Sequence, residues 1–368
     1  MRGDINMYAI TNRQLTKERG GLEIFSKEPN QRGPNELRLV KITKSGAKFK
    51  AAAIKETTIP QNKKNAMTKL YNLKPSDPIL DAPSLYVAHD VFSDSAHNNR
   101  HVLFYVHGYN NDMEDVIKTA FKLEALYKVR VIPFSWPANG GGPVSGAASY
   151  KSDKRDARAS TGALDRFLEK IHGYHKLFVT AQKDKLMALA KEDHPDNHEQ
   201  ARAEYSRLQA KECKITLNLL CHSMGNYLLK YTTIPSSSMI RKLVFDNICM
   251  VSADTNNKNH KDWVGGMEAR SGIYVVINQE DSALGWSRRK PGDEQLARLG
   301  HYLKDLDSTN ADYLNVTSKH VGDDHSYFKD GPVKNDDKLK AMFAALFEGR
   351  KPESKMEYKS RIKAYELR

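Results

Sequence analysis

The 368-residue sequence contains little cysteine and no long apolar segment. Its three cysteines, Cys213, Cys221 and Cys249, are too few and too irregularly spaced for a disulfide framework or a zinc site. No run of 18 apolar residues occurs, and the first residues lack the apolar stretch of a secretory signal. These absences predict a cytoplasmic protein that holds no metal and no cofactor.

Positive charge is the main compositional bias. Lys and Arg number 58 against 45 Asp and Glu, which gives a net charge of +13 at pH 7. Such a balance can attract nucleic acids, anionic lipids or acidic substrates. Because no zinc finger, RNP-like aromatic motif or helix-turn-helix pattern accompanies the charge, we do not predict nucleic-acid binding. An anionic membrane surface stays open as a partner, and the sequence carries no prediction of the oligomeric state.

The first quarter of the chain is typical of short strands and turns. Residues 37–42 and 48–54 flank a Ser-Gly pair and predict a hairpin, and residues 85–91 predict a further strand. We therefore expect residues 1–95 to form a β-rich extension packed on the core.

From residue 101 onward, predicted strands alternate with predicted helices. Asp112 is a good N-cap for the first of these helices, and Gly349 is a good C-terminal cap for the last one. Such alternation predicts an α/β core over residues 96–349, with a mainly parallel sheet and helices on both faces. The predicted strands are 101–106, 129–136, 214–220, 243–252, 272–277 and 313–317.

Two segments lie outside this alternation. Residues 175–212 are highly charged and predict an inserted helical hairpin, either a lid over a pocket or a solvated excursion. The basic tail at 350–368 has Tyr358, Ile362 and Tyr365 at helical spacing, which favours a terminal helix.

Ser223 occupies the turn between a predicted strand and a predicted helix. This is the context of the G-x-S-x-G nucleophile elbow of the α/β-hydrolase fold. The tight turn requires small residues two positions before and after the serine; Gly225 satisfies this, and Cys221 replaces the usual glycine. The helix N-terminus favours negative charge that develops at the serine. We therefore predict that Ser223 is a nucleophile.

A serine nucleophile needs a histidine base, which follows the acid in the chain order of this fold. His325 comes just after the last predicted strand, where such a histidine is expected, and is our choice of base. His320, five residues earlier, is the alternative.

The triad acid should follow a strand between the serine and the histidine. Asp281 comes after the predicted strand 272–277, which is the usual position in this fold, and is our choice. Asp254, after the preceding strand, is the alternative acid, and Glu280 is a weaker one.

An oxyanion hole needs two backbone N–H donors. Met224, directly after the nucleophile, should supply one of them. The loop after the strand at 101–106 should supply the other, and Tyr109 is our choice. Gly108 shapes this loop, because a residue without a side chain lets the backbone pass close to the acyl group.

Several segments taken together resemble a bacterial family of largely uncharacterised α/β hydrolases of esterase and lipase type. The resemblance spans about residues 100–330 and implies the α/β-hydrolase fold and the roles given above. The charged segment 175–212 departs from the compact pattern of that family. The segments are Thr11-Asn12-Arg13, His107-Gly108-Tyr109-Asn110-Asn111, Phe134-Ser135-Trp136-Pro137, residues 150–160, His222-Ser223-Met224-Gly225-Asn226 and His325-Ser326-Tyr327-Phe328.

These patterns predict a metal-free serine hydrolase that cleaves carboxylic esters through an acyl-enzyme, with a small-molecule ester or a lipid as substrate. Two alternatives stay open. One is a lipase or phospholipase that acts at a membrane surface, and the other is a hydrolase fold used only as a binding module.

Overall fold

The computed structural model describes most of the chain and divides it into two compact units. We call them the sheet unit and the helical unit. The described residues are 5–55, 59–139, 146–211, 215–235, 237–289 and 296–367. The sheet unit comprises Met1–Ala53, Arg100–Leu168 and Thr216–Arg368, and the helical unit comprises Ile54–Asn99 and Glu169–Ile215.

A few predicted segments extend beyond the described residues. They are residues 1–4 and 56–58 of the predicted β-rich extension, 140–145, 236 and 290–295 of the predicted core, 212 at the end of the predicted insertion, Cys213, 214 at the start of a predicted strand, and 368 at the end of the tail.

The sheet unit is built on a twelve-stranded sheet in the order β13-β14-β12-β11-β10-β9-β7-β8-β1-β5-β6-β3, while β2 and β4 form a separate pair. The strands are β1 Ile5–Thr11, β2 Arg13–Leu15, β3 Arg19–Gly20, β4 Phe25–Pro29, β5 Arg38–Ser45, β6 Lys48–Ala53, β7 His101–Val106, β8 Val129–Ser135, β9 Leu217–His222, β10 Phe245–Val251, β11 Ala269–Ile277, β12 Asp312–Asn315, β13 Met356–Lys359 and β14 Ala364–Leu367.

The helices alternate with the strands of the sheet unit and make up most of the helical unit. No helix in the described part of the chain has the length and apolar character needed to cross a bilayer. The helices are α1 Gln61–Tyr71, α2 Pro83–His97, α3 Met113–Leu126, α4 Gly146–Ala159, α5 Thr161–Asp193, α6 His198–Lys211, α7 Gly225–Thr233, α8 Lys261–Val264, α9 Ser282–Ser287, α10 Gly331–Asn335 and α11 Asp337–Phe347.

The seven strands from β12 across to β1 in the sheet order run parallel to one another. Their carboxyl ends therefore meet at one edge of the sheet, where ligands bind in open α/β sheets. The register aligns these ends closely, since His222 at the end of β9 pairs with Val251 at the end of β10. The loops that carry the predicted site residues therefore start side by side.

Alternate side chains of the central strands pack on opposite faces of the sheet. On β7, Leu103 and Tyr105 join a buried cluster with α3 and α11. Phe104 points to the other face, where its ring lies 5.4 Å from that of Phe167 on α5. Helices thus cover both faces, as the period of two in the strands requires.

The predicted N-terminal hairpin and the predicted N-cap of α3 are confirmed. Strands β5 and β6 pair antiparallel around the Ser-Gly turn. The Asp112 carboxylate accepts a hydrogen bond of 2.9 Å from the Asp115 N–H. This bond satisfies one of the amides that the first turn of a helix leaves without an intrahelical partner.

The predicted strand at 85–91 is wrong, and residues 59–97 of the expected β-rich extension are mainly helical. Pro83 starts α2, where its fixed φ suits a first helical turn. A short apolar run does not distinguish a strand from a buried helix. In the helical unit, Leu85 and Tyr86 pack with Leu80 and Tyr174.

The predicted hairpin in 175–212 is present, but its first helix is longer than expected. Helix α5 starts at Thr161 and runs without a break to Asp193, and α6 follows after a short turn.

The predicted helix in the C-terminal tail is wrong. Strands β13 and β14 form an antiparallel hairpin in which Tyr358 pairs with Tyr365. The seven-residue spacing of Tyr358 and Tyr365 fits two turns of a helix. In the structure these two residues instead face each other across the hairpin.

Candidate active site

Ser223 lies in the tight turn between β9 and α7. Its φ of +53° is in the left-handed region, which a non-glycine residue adopts at an energetic cost of about 1–3 kcal/mol. Gly225 makes the turn possible, because a Cβ there would lie 2.7 Å from the carbonyl oxygens of Val106 and His107. These are backbone atoms of the neighbouring strand end, so they cannot give way as a flexible side chain can.

Hydrogen bonds to the end of β10 hold this turn in place. The Ser223 N–H donates to the Val251 carbonyl at 3.1 Å, and the Asp254 N–H donates to the Ser223 carbonyl at 3.2 Å. The Asn226 side-chain amide donates to the Cys221 carbonyl at 2.9 Å. The position of the serine is therefore set by the sheet and by the loop after β10.

Asp281 and His325 form a hydrogen-bonded pair at the same edge of the sheet. The His325 Nδ1 atom lies 2.9 Å and 2.8 Å from the two carboxylate oxygens of Asp281. Asp281 is fully buried and is the N-cap of α9, where it accepts a hydrogen bond of 3.0 Å from the Leu284 N–H. The helix start thus fixes the carboxylate, and the carboxylate fixes the imidazole ring.

The electrostatic surroundings of His325 favour its protonated form. Burial alone would lower the pKa of this imidazole. The charge and the hydrogen bond of Asp281, assisted by the charges of Asp254 and Asp324, outweigh burial and raise the pKa above its usual value. The pair can therefore take up a proton and stabilise the resulting cation.

Two side chains at the ends of β9 and β10 hold the backbone of His325. The His222 Nε2 lies 2.9 Å from the His325 carbonyl oxygen, and the Ser252 hydroxyl donates to the same oxygen at 3.0 Å. Burial, followed by the charge on His325, lowers the pKa of His222 well below its usual value, so His222 is neutral and its Nε2–H can donate. These hydrogen bonds hold His325 next to His222, the residue that precedes Ser223.

The two alternative residues have other surroundings. Asp254 is hydrogen-bonded to Tyr150 at 2.8 Å and to Ser287 at 2.6 Å, and its carboxylate lies 3.1 Å from the Arg298 guanidinium. His320 is exposed and lines a surface depression at the end of β12. The structure thus brings Asp281 and His325 together with the serine turn, and it gives Asp254 a different set of partners.

The loop after β7 runs directly over the turn at Ser223. A Cβ on Gly108 would lie 2.7 Å from Ser223 Cβ and 3.2 Å from its hydroxyl oxygen, so only glycine fits without a shift. Tyr109 follows in this loop, and Met224 stands at the N-cap position of α7. The two predicted N–H donors therefore directly follow, in sequence, Gly108 beside the serine and the serine itself.

A buried histidine that sequence reasoning left without a role supports this loop. The His107 ring stacks on Trp136 with their centroids 4.9 Å apart, and its Nε2 accepts the Trp136 N–H at 3.1 Å. The proton therefore sits on Nδ1, which lies 2.9 Å from the Gly108 carbonyl oxygen and donates to it. Burial and the charge of Arg13 lower the pKa of His107 to about 3. This histidine is therefore neutral and supports the loop through its hydrogen bonds.

Arg13 is a second supporting residue, which the sequence indicated only as part of the resemblance. Its buried guanidinium donates to the Asn111 carbonyl at 2.8 Å and to the Ala138 carbonyl at 2.9 Å. Burial lowers its pKa to about 10, so it stays charged at neutral pH. Arg13 thereby ties the end of the β7 loop to the segment that follows β8.

The family comparison agrees with this architecture. Residues 87–181 match the model of a family described as an alpha/beta hydrolase of unknown function (DUF900). The fold is that of an α/β hydrolase. Comparisons with curated proteins and with solved structures found no match. The match supports a hydrolase-like function and agrees with the resemblance to largely uncharacterised hydrolases.

The matched segment covers β7, the loop over the serine, α3, β8 and α4, and it ends before Ser223. It therefore bears on the fold and leaves the substrate open. Within the described ranges, no group of three or more His, Cys, Asp or Glu side chains is arranged to hold a metal ion.

Proposed function

We propose that this α/β hydrolase cleaves carboxylic esters, with Ser223 as nucleophile, His325 as base and Asp281 as the acid that orients the base. The observation that carries the proposal is the contact of 2.8 and 2.9 Å between partly exposed His325 and fully buried Asp281, at the sheet edge where a serine stands in a left-handed elbow turn. This is the arrangement of groups that nucleophilic acyl transfer requires.

In the proposed mechanism, the Ser223 oxygen attacks the ester carbonyl while His325 Nε2 takes the serine proton. Asp281 holds Nδ1–H and stabilises the imidazolium that forms. The negative charge on the former carbonyl oxygen is stabilised by the N–H groups of Tyr109 and Met224. Collapse of the tetrahedral intermediate expels the alcohol, which receives the proton from His325. Water, activated by the same histidine, then releases the acid.

A lipase or phospholipase is the second candidate, and one exposed side chain favours it. Trp286 on α9, five residues after Asp281, is 66% exposed, and the Arg289 guanidinium carbon lies 5.8 Å from its ring centroid. Tryptophan beside a cation is typical of surfaces that meet a membrane interface. A sharp rise in turnover on anionic vesicles, reduced in Trp286→Ala, would favour this candidate. Equal turnover with and without vesicles would favour the esterase.

The hydrolase proposal is tested with p-nitrophenyl esters of increasing acyl length. Wild type should turn over the preferred ester, and Ser223→Ala should lose about 10⁵-fold in kcat. Ser95→Ala is the matched control, because Ser95 is a buried serine like Ser223 but belongs to the helical unit. Equal hydrolysis by wild type and Ser223→Ala would refute the proposal.

A further inference from the structure

A cluster of four buried polar side chains adjoins the serine turn through the backbone of Asp254. We call Tyr150, Asp254, Ser287 and Arg298 the Asp254 cluster; each is at most 3% exposed. Ser287 donates to the Asp254 carboxylate at 2.6 Å and Tyr150 donates to it at 2.8 Å, while the Tyr150 and Ser287 oxygens lie 3.0 Å apart. The members come from α4, the loop after β10, α9 and the segment that follows α9.

Charge balance makes Asp254 the centre of this cluster. Its carboxylate lies 3.1 Å from Arg298 Nε, and burying either charge without the other would be strongly unfavourable. Burial, followed by the charge of Asp254, raises the pKa of the Tyr150 hydroxyl, which is therefore a neutral donor at any physiological pH. The cluster is thus a salt bridge with two hydroxyl donors, all removed from water.

The cluster is connected to each part of the proposed site. The Asp254 N–H donates to the Ser223 carbonyl at 3.2 Å, which ties it to the nucleophile turn. The Tyr150 ring lies 5.5 Å from the ring of Tyr109, the predicted oxyanion donor. Ser287 is the last residue of α9, the helix that Asp281 starts. Asp254 therefore contacts the serine turn through its backbone N–H. Its carboxylate binds Tyr150, which packs beside the oxyanion loop, and Ser287 in the helix that carries the acid.

We propose that Asp254 is a positioning residue, which holds the serine turn, the oxyanion loop and the Asp281 helix in one arrangement through Tyr150, Ser287 and Arg298. This inference rests on the proposed function of the site. It assigns a role distinct from the triad acid, which orients the histidine by direct contact.

Asp254 also affects His325 through its charge. The charged and titratable groups that face His325 are Asp281 from the α9 loop, Asp324 from its own loop, His222 from β9 and Asp254 from the loop after β10. Asp254 is one of the carboxylates that raise the pKa of His325 against the effect of burial. Neutralising Asp254 should therefore let His325 lose its proton at a lower pH.

The test compares the pH profile of kcat/KM for wild type and Asp254→Asn on the preferred ester. Asp254→Asn keeps the shape of the side chain and should reduce kcat by about 10- to 100-fold, since small misplacements of reacting groups have effects of this size. The acid limb of the profile, which is the fall of kcat/KM at low pH, should also move to lower pH. A role in folding alone would not produce that movement.

Tyr150→Phe separates positioning from charge. It keeps the ring beside Tyr109 and the Asp254–Arg298 pair but removes the hydrogen bond to the carboxylate. We expect about a tenfold loss in kcat and no movement of the acid limb. Asp246→Asn is the matched control, because Asp246 also pairs with an arginine but lies at the opposite end of β10; its profile should match wild type.

Each outcome decides between specific alternatives. A wild-type profile in both Asp254→Asn and Tyr150→Phe would overturn the positioning role while leaving the hydrolase proposal intact. An Asp254→Asn variant as inactive as Asp281→Asn, with Tyr150→Phe fully active, would show that Asp254 is the triad acid and also overturn it. If Asp254→Asn does not fold, the kcat of Tyr150→Phe decides. A wild-type protein that neither hydrolyses esters nor reacts with a fluorophosphonate would remove the proposed function and this inference together.

Discussion

The loops after β10 and β11 each contain a buried aspartate at the sheet edge that carries Ser223, yet their partners differ in kind. Asp281 faces His325, and Asp254 faces Arg298 with two hydroxyl donors. An imidazole exchanges a proton near neutral pH, whereas a guanidinium keeps its charge. Only the first pair can therefore take part in proton transfer. A strand-end carboxylate in this fold is thus defined by its partner more than by its place in the chain.

The largest effect expected from this comparison is the loss of His325. His325→Ala should reduce kcat by about 10⁴-fold or more, because the serine then has no base. His320→Ala is the control, and since His320 is exposed, its kcat should stay within about twofold of wild type. Steady-state ester hydrolysis measures both. The reverse order would make His320 the base.

Asp281→Asn should have the next largest effect. The amide keeps the size of the side chain but removes the charge that stabilises protonated His325, so we expect kcat to fall about 10³- to 10⁴-fold. Ester hydrolysis with circular dichroism as a folding control measures this. The comparison of the two loops fails if Asp281→Asn retains more activity than Asp254→Asn.

A smaller effect is expected at Gly108, in the loop that crosses the serine. Because an added Cβ would lie 2.7 Å from Ser223 Cβ, Gly108→Ala should reduce kcat about 100-fold by displacing the serine or the loop. Gly173→Ala is the matched control in the exposed middle of α5, where nothing lies within 4 Å of the new Cβ. That variant should keep full activity and stabilise the helix by about 0.5–1 kcal/mol. Equal activities of the two variants would contradict the close approach.

The mildest prediction concerns the pH profile of the wild-type protein. In the proposed mechanism ester hydrolysis needs neutral His325. Burial lowers the pKa of this histidine, but the carboxylates around it outweigh burial and raise it. The acid limb of kcat/KM should therefore lie at a higher pH than for an unperturbed imidazole, about 6.5, and activity should fall as the pH drops through it. A limb below that value would mean that burial outweighs the carboxylates.

Much of the fold could be predicted because the central parallel strands β7 to β10 are largely buried and mainly apolar. The strand at His101–Val106 is found at its predicted bounds, and the elbow context located the turn at Ser223. The errors fall where local pattern is ambiguous. The apolar run at 85–91 fits a strand or a buried helix, and the spacing of Tyr358 and Tyr365 fits a helix or a hairpin.

The site could be predicted only as far as chain order constrains it. The order of serine, acid and histidine selected Asp281 and His325, and the structure places the two in contact. The partners of Asp254 could not be inferred, because Tyr150 lies 104 residues away in sequence and no local pattern links the two. The resemblance includes His107 and Arg13, but their supporting contacts could not be inferred for the same reason, because these contacts form only when β1, β7 and β8 are adjacent.

The central claim is that His325 and Asp281 activate Ser223, and a labelled serine tests it most directly. Wild-type protein, treated with a fluorophosphonate and analysed by peptide mass spectrometry, should carry one adduct, on Ser223. The adduct should form far more slowly in His325→Ala and be absent in Ser223→Ala. An unmodified wild type, or an adduct on another serine, would contradict the account.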